Sequence, residues 1–131
     1  MCTPQPWPTA KRGYTQRDDG LSKPWEGRVW LNPPYGPATG TWLGRLAAHG
    51  DGIALVFART ETQMFFAEVW TKATAILFLQ GRLFFAYPDG TMAAHNSGGP
   101  SVLIAYGKSN EEVLRRCGIP GALVRVNPRT P

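Results

Sequence analysis

Gly27-Arg28-Val29-Trp30-Leu31-Asn32-Pro33-Pro34-Tyr35-Gly36 is the stretch whose reading decides the fold. Arg28–Leu31 is a short β-prone run. It must stop at Asn32, because two prolines lack the N–H groups that a ladder needs. Downstream, the apolar pattern alternates between helical and extended. Thr41 is placed to cap a helix with Trp42, Leu43, Leu46 and Ala47 on one face, closed by Gly50. Ile53–Ala58 is continuously apolar, as in a strand buried on both faces. Thr60 with Gln63 matches a capping box for a helix that puts Phe65, Phe66, Val69 and Trp70 on one side.

Ala75–Leu79 reads as a second buried strand. Gly81 interrupts it, Arg82–Phe85 continues its β character, and Pro88-Asp89-Gly90 makes a turn. Ser101–Tyr106 is another strand. Asn110 is placed to cap a short helix with Glu111 and Glu112 in its first turn, ended by Gly118, and Ala122–Val126 reads as a last edge strand. Strands alternating with helices over short crossovers predict an α/β fold with a mostly parallel sheet. The strands on either side of the Pro88-Asp89-Gly90 turn have no helix between them and are expected to be antiparallel.

The 131 residues fit one domain, and five Trp, six Phe and four Tyr supply large side chains for its core. Proline and glycine concentrate at 1–40, 86–100 and 118–131, which therefore read as loops around a regular middle. The formal charge of +5 favours an anionic partner, nucleic acid first. Cys2 and Cys117 are far apart and have no Cys or His neighbours at ligand spacing, which argues against a disulfide framework or a local metal knuckle. A reducing cytoplasm is the simplest setting. The longest apolar stretches are far too short to cross a bilayer, and no signal segment opens the chain.

Asn32-Pro33-Pro34-Tyr35 follows directly on a strand, and in open α/β sheets ligands bind beyond the carboxyl ends of strands. Asn32 offers a neutral side-chain carbonyl and Pro33 a backbone carbonyl, on a loop stiffened by two prolines. Tyr35 offers a flat face. This set suits a planar conjugated amine, whose lone pair is delocalised into its ring. Two acceptors draw the amine toward tetrahedral geometry and stabilise the positive charge that builds as it attacks a methyl donor. Stacking on Tyr35 fixes the plane of the base.

The string Asp19-Gly20-Leu21, then Trp25, then residues 27–36, resembles the phage-encoded, Dam-like DNA N6-adenine methyltransferases. Ala58-Arg59-Thr60-Glu61-Thr62 with Phe65-Phe66 is similar to that family too, as are Gly81-Arg82-Leu83 with Phe84, and Pro100-Ser101-Val102-Leu103 leading to Ala105-Tyr106-Gly107. The likeness spans roughly residues 10–125. It implies a Rossmann-like methyltransferase fold, S-adenosylmethionine as methyl donor, double-stranded DNA as partner with adenine swung out of the duplex, a cytoplasmic setting in a bacterial host, and Asn32, Pro33, Pro34 and Tyr35 as the catalytic motif. In that family a strand ending in an acidic residue beside the donor precedes the motif. Here no apolar strand precedes residue 28, so the first strand is expected to be missing.

Asp19 and Asn32 are the candidates for contact with the donor, Asp19 also reading as part of a turn with Asp18. Arg59, Arg82 and Lys11 are the candidates for contact with DNA. Arg82 reads equally as a salt-bridge partner, and Lys11 with Arg12 and Arg17 as a solvated face. Thr60 reads as a helix cap, and the tryptophans as core, with Trp25 also a candidate pocket wall. Three alternatives stay open: an amine of protein glutamine as acceptor, an amine of RNA, or an inactive remnant that keeps DNA affinity. An exposed sheet edge makes self-association a further expectation.

Overall fold

The computed structural model describes residues 12–14, 18–87, 89 and 91–127. The protein is an α/β structure built on one five-stranded mixed sheet, compatible with a Rossmann-like arrangement. In chain order its elements are β1 (Val29–Leu31), α1 (Thr39–His49), β2 (Gly52–Phe57), α2 (Gln63–Phe65, continuing as a π-helical turn over Phe66–Trp70), β3 (Ala75–Leu79), β4 (Ser101–Tyr106), α3 (Lys108–Arg116) and β5 (Gly121–Arg125). The strands lie in the order β1-β2-β4-β3-β5.

The sheet is mostly antiparallel, which corrects the expectation of a mostly parallel one. Only β1 and β2 pair in parallel. β4 returns from the long 80–100 segment and inserts between β2 and β3, pairing antiparallel with both. β2 and β3 therefore still run the same way as β1, and the carboxyl ends of these three strands share one end of the sheet. β5 runs against β3 as an edge strand, as expected for the last strand.

One face of the sheet presents Leu31, Ala54, Val56, Ile76, Val102, Ile104 and Tyr106 to the buried Trp42, Leu43 and Leu46 of α1 and to Phe65 and Val69. The other face presents Ile53, Leu55, Leu77, Leu103 and Ala105. It is covered by Leu114 of α3, with Leu79, Leu83, Phe85 and Leu123 at its margins. The two parities of β2 and β4 thus serve two cores, which is why both strands read as continuous apolar runs.

Several local expectations shift. α1 begins at Thr39 with Ala38 as its cap residue, not at Thr41, and it closes as expected on Gly50, whose N–H bonds Leu46 O in a left-handed turn. The cap of α2 is Thr62, whose hydroxyl accepts from Phe65 N–H, and not Thr60. The π turn widens the helix after Phe65, so Phe66 rotates off the buried side and is exposed. α3 starts behind Gly107, so Asn110 lies inside the helix, fully buried, and does not cap it. A side chain at Gly107 would meet Gly50 O, and its φ of 99° suits glycine. Trp30 is not core: it sits on edge strand β1, on the face turned away from α1, and is 58% exposed.

Candidate active site

Asn32 follows β1 directly. Pro33 is buried and Asn32 and Pro34 are half-buried, so the loop is anchored by its own ring carbons. The Thr39 hydroxyl donates to Pro34 O at 2.6 Å, and Thr39 N–H donates to Gly36 O at 3.1 Å. The first turn of α1 therefore grips the motif loop from behind. Thr39 stands one position inside the helix, after its cap residue Ala38.

Tyr35 is half-exposed, and its ring stacks on Phe57, the last residue of β2, with centroids 4.6 Å apart and planes 16° from parallel. The Arg59 guanidinium lies 5.7 Å from the centre of the same Phe57 ring. Gly99 closes on Phe57 so tightly that an added methyl would stand 3.3 Å from the ring, while Ala58 N–H donates to Pro100 O at 2.9 Å. Phe57 is thus held between Tyr35, Arg59 and the 97–100 loop. Partial burial raises the Tyr35 phenol above its ordinary value, so this ring is neutral at physiological pH.

Of the residues singled out in the sequence, Asn32, Pro33, Pro34 and Tyr35 stand together at the carboxyl end of β1. Arg59 follows β2, and Arg82 lies just past the carboxyl end of β3, so both exposed cations share that end of the sheet. Lys11 lies outside the described residues. Asp19 occupies a turn: its carbonyl accepts from Ser22 N–H and Ser22 Oγ, and Gly20 beside it seats on the Trp42 ring. Trp25 stacks on Trp42 under Arg45, and its indole N–H bonds Gly20 O, so it fastens residues 18–27 to α1. His49 serves the same fastening, with Nε2 2.7 Å from Gly27 O.

Phe57 and Thr39 were not singled out from the sequence. The signal for Phe57 was present: one aromatic ring ends an otherwise aliphatic strand just before Ala58-Arg59. Thr39 had no comparable signal, since its role depends on how far the loop folds back. Among the described residues no helix is long and apolar enough to cross a membrane. No family model matches this chain, and no curated protein or solved structure is significantly similar to it.

Proposed function

We propose that this chain acts in the transfer of a methyl group from S-adenosylmethionine to the N6 amine of adenine in DNA. The observation that carries this reading is the half-exposed Tyr35 ring, held in a fixed plane by Phe57 immediately after Asn32 and Pro33. A purine laid on the outer face of Tyr35 brings its exocyclic amine toward a loop whose acceptors are neutral carbonyls. The Asn32 side chain and Pro33 O accept the two N–H groups of that amine, and their dipoles stabilise the charge that develops on nitrogen. Adenine N6 is paired in the duplex, so the base must leave the stack to arrive there. The basic balance of the chain and the positions of Arg59 and Arg82 suit a phosphate backbone at the same end of the sheet.

The motif loop supports the acceptor half of this reading, and among the described residues none is placed to support the donor half. Among them no strand pairs with the outer edge of β1, and it is the backbone carbonyl of Asp19 that closes its turn. S-adenosylmethionine, when bound, supplies the methyl group, and the residues described here orient and polarise the amine that receives it. The test is transfer of labelled methyl from S-adenosylmethionine to unmethylated DNA, with RNA and a glutamine peptide as competing acceptors. Incorporation into DNA that is lost in Asn32→Ala and Tyr35→Ala supports the reading. Incorporation into another acceptor, or none together with no calorimetric donor binding, rejects it.

A further inference from the structure

We infer that the β-ribbon between β3 and β4 is a duplex-binding wedge, with Phe84 and Met92 as the side chains that press against the stacked bases. This rests on the reading of the chain as one that acts on DNA, and it adds an element that contacts the duplex away from the motif loop. The arms of the ribbon are 83–87 and 91–97. They are joined by an antiparallel bridge between Ala86 and Met92, and by hydrogen bonds from Tyr87 N–H to Thr91 O, Ala93 N–H to Phe85 O and Ser97 N–H to Leu83 O. Asp89 accepts from Thr91 N–H and steadies the tip.

Alternation along the first arm sends Leu83 and Phe85 into the core under the sheet. Phe84 and Ala86 therefore point the other way, and Met92, directly across from Ala86, shares their face. A ribbon with one face on a core ordinarily carries polar residues on the other. Here the outward positions beside the bridge are apolar on both arms, with Phe84 49% and Met92 58% exposed.

Placement and charge select the occupant. The ribbon rises from the carboxyl end of β3, the end that also carries Asn32–Tyr35. Its base is tied to that loop through Ser97 Oγ, which donates to Gly99 O, and through Gly99, which closes on Phe57 under Tyr35. Exposed Arg59 and Arg82 stand at the same end, in a chain of net charge +5. An apolar ridge at an end of the sheet that also carries exposed arginines suits a nucleic-acid groove, where phosphates meet the cations and apolar side chains enter at a base step. Two-stranded ribbons are among the elements that proteins lay into DNA grooves. Extruding one base opens its step, and a wedge beside Tyr35 supports the opened stack.

The experiment measures the affinity of the full chain for a short unmethylated duplex across a series of salt concentrations. The variants are Phe84→Ser, Met92→Ser, their combination, Phe84→Trp and Arg82→Ala, each checked by thermal melting. The double serine variant should lose about tenfold in affinity with an unchanged salt slope, since it removes base contacts and no phosphate contact. Phe84→Trp should keep the affinity, and Arg82→Ala should lower the slope by about one. Unchanged duplex affinity in the well-folded serine variants overturns the inference, as does a wild-type chain that binds no duplex. So does loss of a wild-type dimer in sedimentation with DNA affinity intact, which would assign the ridge to a second copy. Ridge-dependent binding without any methyl transfer sinks the proposed activity and leaves the wedge standing. Transfer to DNA with ridge-independent binding does the reverse.

Discussion

Tyr35 and Phe57 stack at 4.6 Å because the motif loop runs on alongside the last residues of β2 after β1 has ended. Leu31 sits across from Ala54, three residues before Phe57, so residues 32–34 carry the chain to the level of Phe57 and Tyr35 meets it there. One ring comes from the proline-stiffened loop and the other from the strand that flanks it. The pair presents a single flat surface with one face open.

Replacing Phe57 by Leu should keep the strand and remove the stack. An aromatic pair adds about 1 kcal/mol beyond area burial, so melting should fall by only a few degrees. Methyl transfer to DNA should fall roughly tenfold or more, because Tyr35 loses its fixed plane. Phe57→Trp should recover most of the rate. Equal rates for wild type and Phe57→Leu would remove Phe57 from any positioning role.

Thr39→Val deletes the hydroxyl that holds Pro34 O at 2.6 Å while keeping the side-chain shape. A net loss of about 1 kcal/mol in urea unfolding is expected for one such bond. If the motif loop is what the bond positions, turnover should drop with duplex affinity unchanged, and Thr39→Ser should restore it. A parallel loss of both would assign Thr39 to stability alone.

Tyr106 is buried, and its hydroxyl donates to Glu68 O. Burial first, and the Glu68 charge second, push its phenol well above the ordinary value of 10.0. The folded state therefore keeps a proton that the unfolded chain releases. The stability linked to this group is whole below about pH 10 and declines above it by about 1.4 kcal/mol per pH unit, until the folded phenol also ionises. Tyr106→Phe should be less stable than wild type at neutral pH by about 1–2 kcal/mol, having left a carbonyl unpaired. Its stability should also fall less steeply than that of wild type above about pH 10, a difference read from denaturant unfolding on either side of that pH. Parallel pH curves would contradict the assignment.

The cap of α2 separates two threonines that look alike in the sequence. Thr62→Ala should cost about 1 kcal/mol in denaturant unfolding, because the hydroxyl accepts from Phe65 N–H and donates to Arg59 O. Thr60→Ala should stay within about 0.5 kcal/mol of wild type. The reverse order would mean that the helix starts where the sequence pattern placed it.

Local rules carried far into this chain. The prolines after Leu31 end a strand whatever surrounds them, Gly50 closes α1, and the aliphatic runs at 53–57, 75–79 and 101–106 are buried strands because nothing else hides that much apolar surface. The motif loop therefore stood at a strand end before any neighbour was known. The groups that the proposed chemistry would use were legible for the same reason, since Asn32, Pro33 and Tyr35 carry their acceptors and ring with them.

Neighbourhood was not legible. The order of strands depends on where β4 returns. Insertion between β2 and β3 turns a sheet with three co-directional strands into a mostly antiparallel one, and no local periodicity encodes that choice. The same long-range folding decides that Thr39 reaches Pro34, that Gly99 closes on Phe57, and that Phe84 and Met92 are left facing out. By itself the sequence determined most of the elements and the place of the motif loop, because these follow from backbone hydrogen bonding and side-chain period within a few residues. Only the tertiary structure decided the partners of that loop, because contacts between distant segments depend on how whole faces are buried against one another.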